Sequence, residues 1–198
     1  RDKKYYLPKH GFARKSQFEI LMASDERASF RLEASEETRR VYPFDFALTV
    51  EYALKDKTLS VSNAVKNLGN DEMYFSLGAH PAFNIEIGDF VKFSDYESFT
   101  TLLFNESGLM SGEKALAKRR KSIEITEHSF DGDALFFPNL ASTSAKLVSK
   151  SGRELLKMDF GKVPFVGLWA KPGAPFVCIE PWNSLPASVY QSVMLENM

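Results

Sequence analysis

The chain has 198 residues, 44% of them hydrophobic and 26% charged, which is an ordinary globular composition with material for a sizeable core. Its 25 Lys and Arg against 26 Asp and Glu leave a net charge of -1, which excludes a global electrostatic pull toward nucleic acid or an anionic membrane. The lone Cys178 excludes an internal disulfide, and no apolar run approaches the roughly 20 residues that span a bilayer, so a single soluble domain in the reducing cytoplasm is expected.

Phe18 to Met22 and Ser29 to Leu32 are the first strand candidates. From Phe44 to Leu54 the even positions Phe44, Phe46, Leu48, Val50, Tyr52 and Leu54 are apolar or aromatic, a period of two that predicts a half-buried strand. After Lys55-Asp56-Lys57 the alternation resumes at Leu59, Val61, Asn63 and Val65, which predicts an antiparallel hairpin. A third run, past Leu68-Gly69-Asn70-Asp71, sets Met73, Phe75 and Leu77 on one face and His80 with Tyr74, Ser76 and Gly78 on the other. Ser111 to Lys121, rich in Lys and Arg, reads as a short helix or a basic loop. Lys146 to Ser149, Leu155 to Phe160, Phe165 to Ala170 and Phe176 to Ile179 complete the strands. Turns at Asp131-Gly132, Ser151-Gly152 and Lys171-Pro172-Gly173 separate them. An all-β sandwich follows.

Three segments carry candidate chemistry. The chain has only three histidines, and His80 stands where the strand pattern breaks into the Pro-bounded turn of Leu77-Gly78-Ala79-His80-Pro81-Ala82-Phe83-Asn84. It is a candidate acid-base group or a histidine bonded into the turn. In Pro175-Phe176-Val177-Cys178-Ile179-Glu180-Pro181-Trp182, alternation turns Val177 and Ile179 to one side and Cys178 and Glu180 to the other, with Pro181 expected to stop the ladder. Partial burial would raise the Glu180 carboxyl and suit it to general-base work; the plainer reading is a salt-bridged residue at the sheet rim. Leu7-Pro8-Lys9-His10-Gly11-Phe12-Ala13-Arg14 sets an imidazole and a guanidinium in one flexible loop, able to donate to ligand hydroxyls or simply to form an ion-paired surface turn. Trp182, beside Glu180, offers a flat apolar face to a sugar ring. His128 reads as exposed structure, and neither GxSxG nor HExxH occurs.

His10-Gly11-Phe12-Ala13-Arg14, Leu77 to Asn84 and Cys178-Ile179-Glu180-Pro181-Trp182, in this order and spacing, resemble the aldose 1-epimerase or galactose mutarotase-like family, nearest its LacX-like branch. Supporting similarity runs through Val41 to Phe46, Gly108 to Gly112 and Trp169 to Phe176, so the resemblance covers nearly the whole chain. It implies a large twisted antiparallel β-sandwich, the galactose mutarotase-like supersandwich, with a hexose as small-molecule partner and no metal or organic cofactor. It also implies site roles: His80 as acid at the ring oxygen, Glu180 as base on the anomeric hydroxyl, and His10, Arg14, Asp133 and Trp182 as sugar contacts. The acid and base are expected to face each other over the bound pyranose. The family pattern leads one to expect further strands ahead of Arg1 and after Met198 and an arginine upstream of His10. Unless a longer native chain supplies them, the sandwich is expected to have unpaired edges. Unpaired sheet edges of that kind invite association such as a homodimer. The resemblance leaves two alternatives to a free-aldose mutarotase. One is a non-catalytic carbohydrate-binding protein; the other is a hexose-6-phosphate 1-epimerase holding phosphate with Arg14, Arg39, Arg40 or Lys118 to Lys121.

Overall fold

The computed structural model describes residues 4–8 and 10–184; Lys9 of the histidine loop lies outside them. The fold is all-β, built from antiparallel sheets, in two compact units, residues 1–74 and 75–198.

In the first unit the strands β1 (Glu19–Ala23), β2 (Arg27–Glu33), β3 (Phe46–Lys55) and β4 (Thr58–Asn67) form one sheet in that order. The expected hairpin is present: β3 and β4 pair from Phe46↔Asn67 to Lys55↔Thr58 across a two-residue turn in which Asp56 adopts a φ of 53°. Half-burial of the even positions holds only at one end, however. Phe46 and Leu48 are buried, whereas Tyr52 and Leu54 are exposed, because pairing sets the side of the sheet but not what covers it. A helix that the alternation did not announce, α1 (Glu36–Val41), opens on a capping box in which the Ser35 and Thr38 side chains each accept from the other's backbone N–H. A single turn of 3-10 helix, Ala13–Lys15, brings Phe12 against Tyr42 and Phe46, with ring centroids 5.7 Å apart in each case.

The second unit is a sandwich of two four-stranded sheets. One runs β10-β9-β6-β7, from β6 (Phe90–Phe104), β7 (Met110–Glu124), β9 (Ser144–Val148) and β10 (Glu154–Asp159). The other runs β5-β12-β11-β8, from β5 (Ala82–Asn84), β8 (Leu135–Pro138), β11 (Phe165–Trp169) and β12 (Phe176–Trp182). Val91, Phe93, Phe99 and Leu147 of the first sheet meet Phe137, Val166, Leu168, Val177 and Ile179 of the second in a single core. Burying each such side chain is worth about 1.5–3 kcal/mol.

Three expectations fail here. Ser111 to Lys121 is neither helix nor loop but most of β7, since pairing along β6 outweighs local composition. Residues 73–77 form no strand; the segment is tied alongside β12 at the bridge Gly78↔Trp182, by Ala79 N donating to Pro181 O, and by the exchange of Leu77 and Asn183 hydrogen bonds just past the strand end. Nor does Pro181 stop the ladder, for β12 continues to Trp182. The Pro181 carbonyl accepts from the Ala79 N–H, away from β11, so its missing N–H costs the β11 pairing nothing.

A bulged stretch of β6 is locked by a buried carboxylate. Glu97 accepts from Ser142 N and Ser142 Oγ, both at 2.7 Å, and from Ala141 N at 3.2 Å.

Candidate functional site

The central pair of strands in the second sheet separates core from chemistry by alternation. The registers Gly167↔Glu180 and Trp169↔Cys178 place Gly167, Trp169, Cys178, Glu180 and Trp182 on the face opposite the core residues Val166, Leu168, Val177 and Ile179. His80 arrives from the neighbouring segment, held by Ala79 N donating to Pro181 O at 3.0 Å and by the bridge at Gly78.

A hundred positions apart in the chain, His80 and Glu180 are in contact: His80 Nε2 lies 3.2 Å from Glu180 Oε1. They sit side by side rather than facing each other across a space for a hexose. The imidazole is 45% exposed and the carboxylate 6%, so a reactant reaches the pair from the histidine side. The other carboxylate oxygen, Oε2, accepts from Trp182 Nε1 at 3.2 Å. The His80 ring also makes an edge contact with Trp169, with centroids 5.9 Å apart at 78°. Both oxygens of Glu180 thus have fixed partners, which orients the carboxylate without paying its full desolvation back.

Burial pushes the Glu180 carboxyl above the ordinary carboxylate range, with the charge of Asp133 adding to the rise while His80 and the Trp182 indole hydrogen bond oppose it. Burial also pushes the neighbouring Cys178 thiol up to about 11, helped by the Glu180 charge. The sulfur, the His80 ring nitrogen and a Glu180 oxygen all lie within 4.8 Å of one another.

Two glycines make room for this arrangement. A Cβ on Gly78 would lie 2.6 Å from the Trp182 ring, and one on Gly167 would lie 2.9 Å from Phe136 and 3.4 Å from the Glu180 Cβ. Phe136 in turn meets Trp182 edge-on at 5.7 Å. Sequence motifs flagged Glu180 and Trp182, but the signal for Gly167 and Phe136 exists only once the cross-strand register is known.

Of the other expected site residues, Asp133 is exposed, in a left-handed turn with φ 75°, and is close enough to act on the Glu180 charge. His10 (φ 66°) and Arg14 belong to the first unit and are exposed, His10 in the loop that leads into the 3-10 turn and Arg14 within that turn. Among the candidate phosphate-binding cations, Arg39 is engaged by Asp45, with Nε 2.7 Å from Oδ1. Lys121 donates to Ser94 O at 2.9 Å and sits over the Tyr96 ring. His128 is exposed and paired with Asp131, as expected of a structural surface residue. A separate hollow of about 360 Å³ in the second unit, lined by Asn84, Glu86, Asp89, Lys150 and Arg153 among others, includes neither His80 nor Glu180.

A family model described as aldose 1-epimerase matches residues 2–191. The protein LacX of Lactococcus lactis subsp. lactis, in its plasmid and chromosomal forms, is 29% identical over 203 residues, spanning 96% of this chain and 68% of LacX. The X-ray structure of a galactose mutarotase related enzyme from Lactobacillus acidophilus superposes with a TM-score of 0.89 at 27% identity, covering 98% of this chain and 68% of that one. A galactose mutarotase-like protein from Lactobacillus casei gives 0.85 at 26% identity, covering 93% and 67%.

Proposed function

The chain belongs to the aldose 1-epimerase family, and from that premise we propose that it interconverts the α and β anomers of a free aldose by acid-base ring opening. The observation that carries the reading is the contact of His80 Nε2 with Glu180 Oε1 at 3.2 Å. The anomeric hydroxyl oxygen and the ring oxygen of a pyranose are both bonded to C1, so an acid and a base standing side by side can serve both atoms at once.

In this mechanism the Glu180 carboxylate takes the proton of the C1 hydroxyl while protonated His80 gives one to the ring oxygen. The C1 to ring-oxygen bond breaks and an open-chain aldehyde forms. Rotation about C1–C2 presents the other carbonyl face, and closure with the two proton transfers reversed restores both groups. Burial strengthens Glu180 as a base by raising its proton affinity, and ring opening is aided because it neutralises a charge held away from water. Trp182 and Asp133 serve as sugar contacts beside the pair. The edge of Phe136 fixes the indole that would lie against the ring.

Polarimetry on freshly dissolved α-glucose and α-galactose is the test. Accelerated approach to equilibrium rotation supports the reading, and an unchanged rate with measurable sugar binding by calorimetry leaves a carbohydrate-binding protein in its place. A preference for glucose 6-phosphate over glucose in the same assay would move the assignment to a phosphosugar epimerase.

A further inference from the structure

We propose that His80, Cys178 and Glu180 form a binding site for a thiophilic divalent cation of the Zn²⁺ class, and that its occupation silences the acid-base pair. The site stands on geometry alone; the silencing rests on the mutarotase reading above.

Cys178 and Glu180 are two residues apart on β12, so their side chains leave the sheet on the same face, and the segment carrying His80 is hydrogen-bonded alongside. The three donor atoms lie within 4.8 Å of one another, with nitrogen and oxygen already at 3.2 Å. A tetrahedral ion with bonds of about 2.0 to 2.3 Å needs its ligand atoms roughly 3.3 to 3.8 Å apart, so small side-chain rotations close the site. One sulfur, one imidazole nitrogen and one carboxylate oxygen is a donor set for Zn²⁺ or Co²⁺ rather than Mg²⁺ or Ca²⁺. The Trp182 indole holds Oε2 and leaves Oε1 turned toward His80, the kind of supporting hydrogen bond that orients a ligating carboxylate. Entry is from the half-exposed imidazole, and with three protein ligands the fourth position is left for water.

An ion bound there takes the oxygen that would accept the anomeric proton and the nitrogen that would donate to the ring oxygen. No spacing in the sequence announces it, since one ligand is nearly a hundred positions from the other two.

Titration of the purified chain with Co²⁺, without sugar, tests the site. Cys178 is the only cysteine, so a thiolate-to-cobalt charge-transfer band in the near ultraviolet reports this sulfur and no other. We expect that band together with tetrahedral visible bands, saturating at one ion per chain and displaced by Zn²⁺. Cys178→Ser should abolish the charge transfer, and His80→Asn, at a half-exposed position where folding is tolerant, should weaken affinity at least about 10-fold. Absence of the charge-transfer band in the wild-type chain overturns the proposal, as does affinity unchanged in His80→Asn. Neither outcome depends on mutarotation, so a chain that binds cobalt but leaves sugar anomers alone refutes the activity and not the site. Zn²⁺ is expected to abolish mutarotation at the occupancy that displaces cobalt, and full activity at that occupancy would refute the silencing.

Discussion

Glu180→Gln separates the two consequences of burying a carboxylate. The amide keeps an oxygen for the Trp182 indole but cannot accept the anomeric proton, so kcat for mutarotation should fall about 10²- to 10⁴-fold, which is roughly 3–5 kcal/mol of barrier. Stability should move the other way. Because burial raises the folded-state pKa above its unfolded value of 4.5, the folded chain holds a proton that the unfolded chain has already released. Wild-type stability relative to the variant therefore falls as pH rises from about 4.5 to the raised folded value, with a slope of at most about 1.4 kcal/mol per pH unit, and is level above it. Below the window both side chains are neutral and the gap is smallest. Urea unfolding of both proteins across pH 4 to 8, alongside polarimetry, measures both effects. An undiminished rate in the variant, or a stability gap that does not widen with pH, would refute the reasoning.

His80→Asn should lower kcat by a similar 10²- to 10⁴-fold factor in polarimetry while costing about 1–3 kcal/mol in urea unfolding, since the half-exposed imidazole is one of two partners of a buried carboxylate. Asp133→Asn removes a charge that raises Glu180, so the acid limb of the pH-rate profile should shift to lower pH; an unmoved limb would mean that Asp133 acts elsewhere. Gly78→Ala drives a Cβ to 2.6 Å from the Trp182 ring and should cost about 1–3 kcal/mol, accompanied by altered tryptophan fluorescence and weaker sugar binding. Glu97→Ala strands three donors of Ala141 and Ser142 and should cost on the order of 3 kcal/mol, with mutarotation per folded molecule unchanged.

What the sequence made legible was periodicity and local punctuation. The β3–β4 hairpin follows from strict alternation around a short polar turn, and β9 to β12 follow from apolar runs bounded by Gly and Pro. The long β6 and β7 were not legible, because β7 is mostly charged and polar and is held as a strand by its partner across a bulged ladder. Helix α1 went unread for a different reason: a six-residue element is carried by its Ser35 and Thr38 cap and shows almost no periodicity. In the site, motif and alternation pointed to His80 and Glu180 separately. That they touch is a property of register: Ala79 pairs with Pro181 and Gly78 with Trp182, and no local pattern encodes those pairings.

The arrangement of β12 explains how a charge this costly is tolerated. A buried carboxylate opposes folding unless its surroundings compensate, and here one ion-pair partner and one indole hydrogen bond leave the pKa still raised, so compensation within the site is incomplete. The same strand supplies the remainder from its other face. Val177 and Ile179 alternate with Cys178 and Glu180 and are fully buried against Val166 and Leu168, and each contributes about 1.5–3 kcal/mol. Strand periodicity thus lets adjacent residues serve opposite ends, with every second side chain anchoring the strand that holds the buried carboxylate in place. The glycine opposite Glu180 completes the logic: Gly167 contributes no side chain to the site face, which admits the Phe136 edge and keeps the carboxylate out of water. The largest influence on the proton affinity of Glu180, its burial, therefore follows from the packing of β8, β11 and β12, and changes to that packing should register in the pH-rate profile.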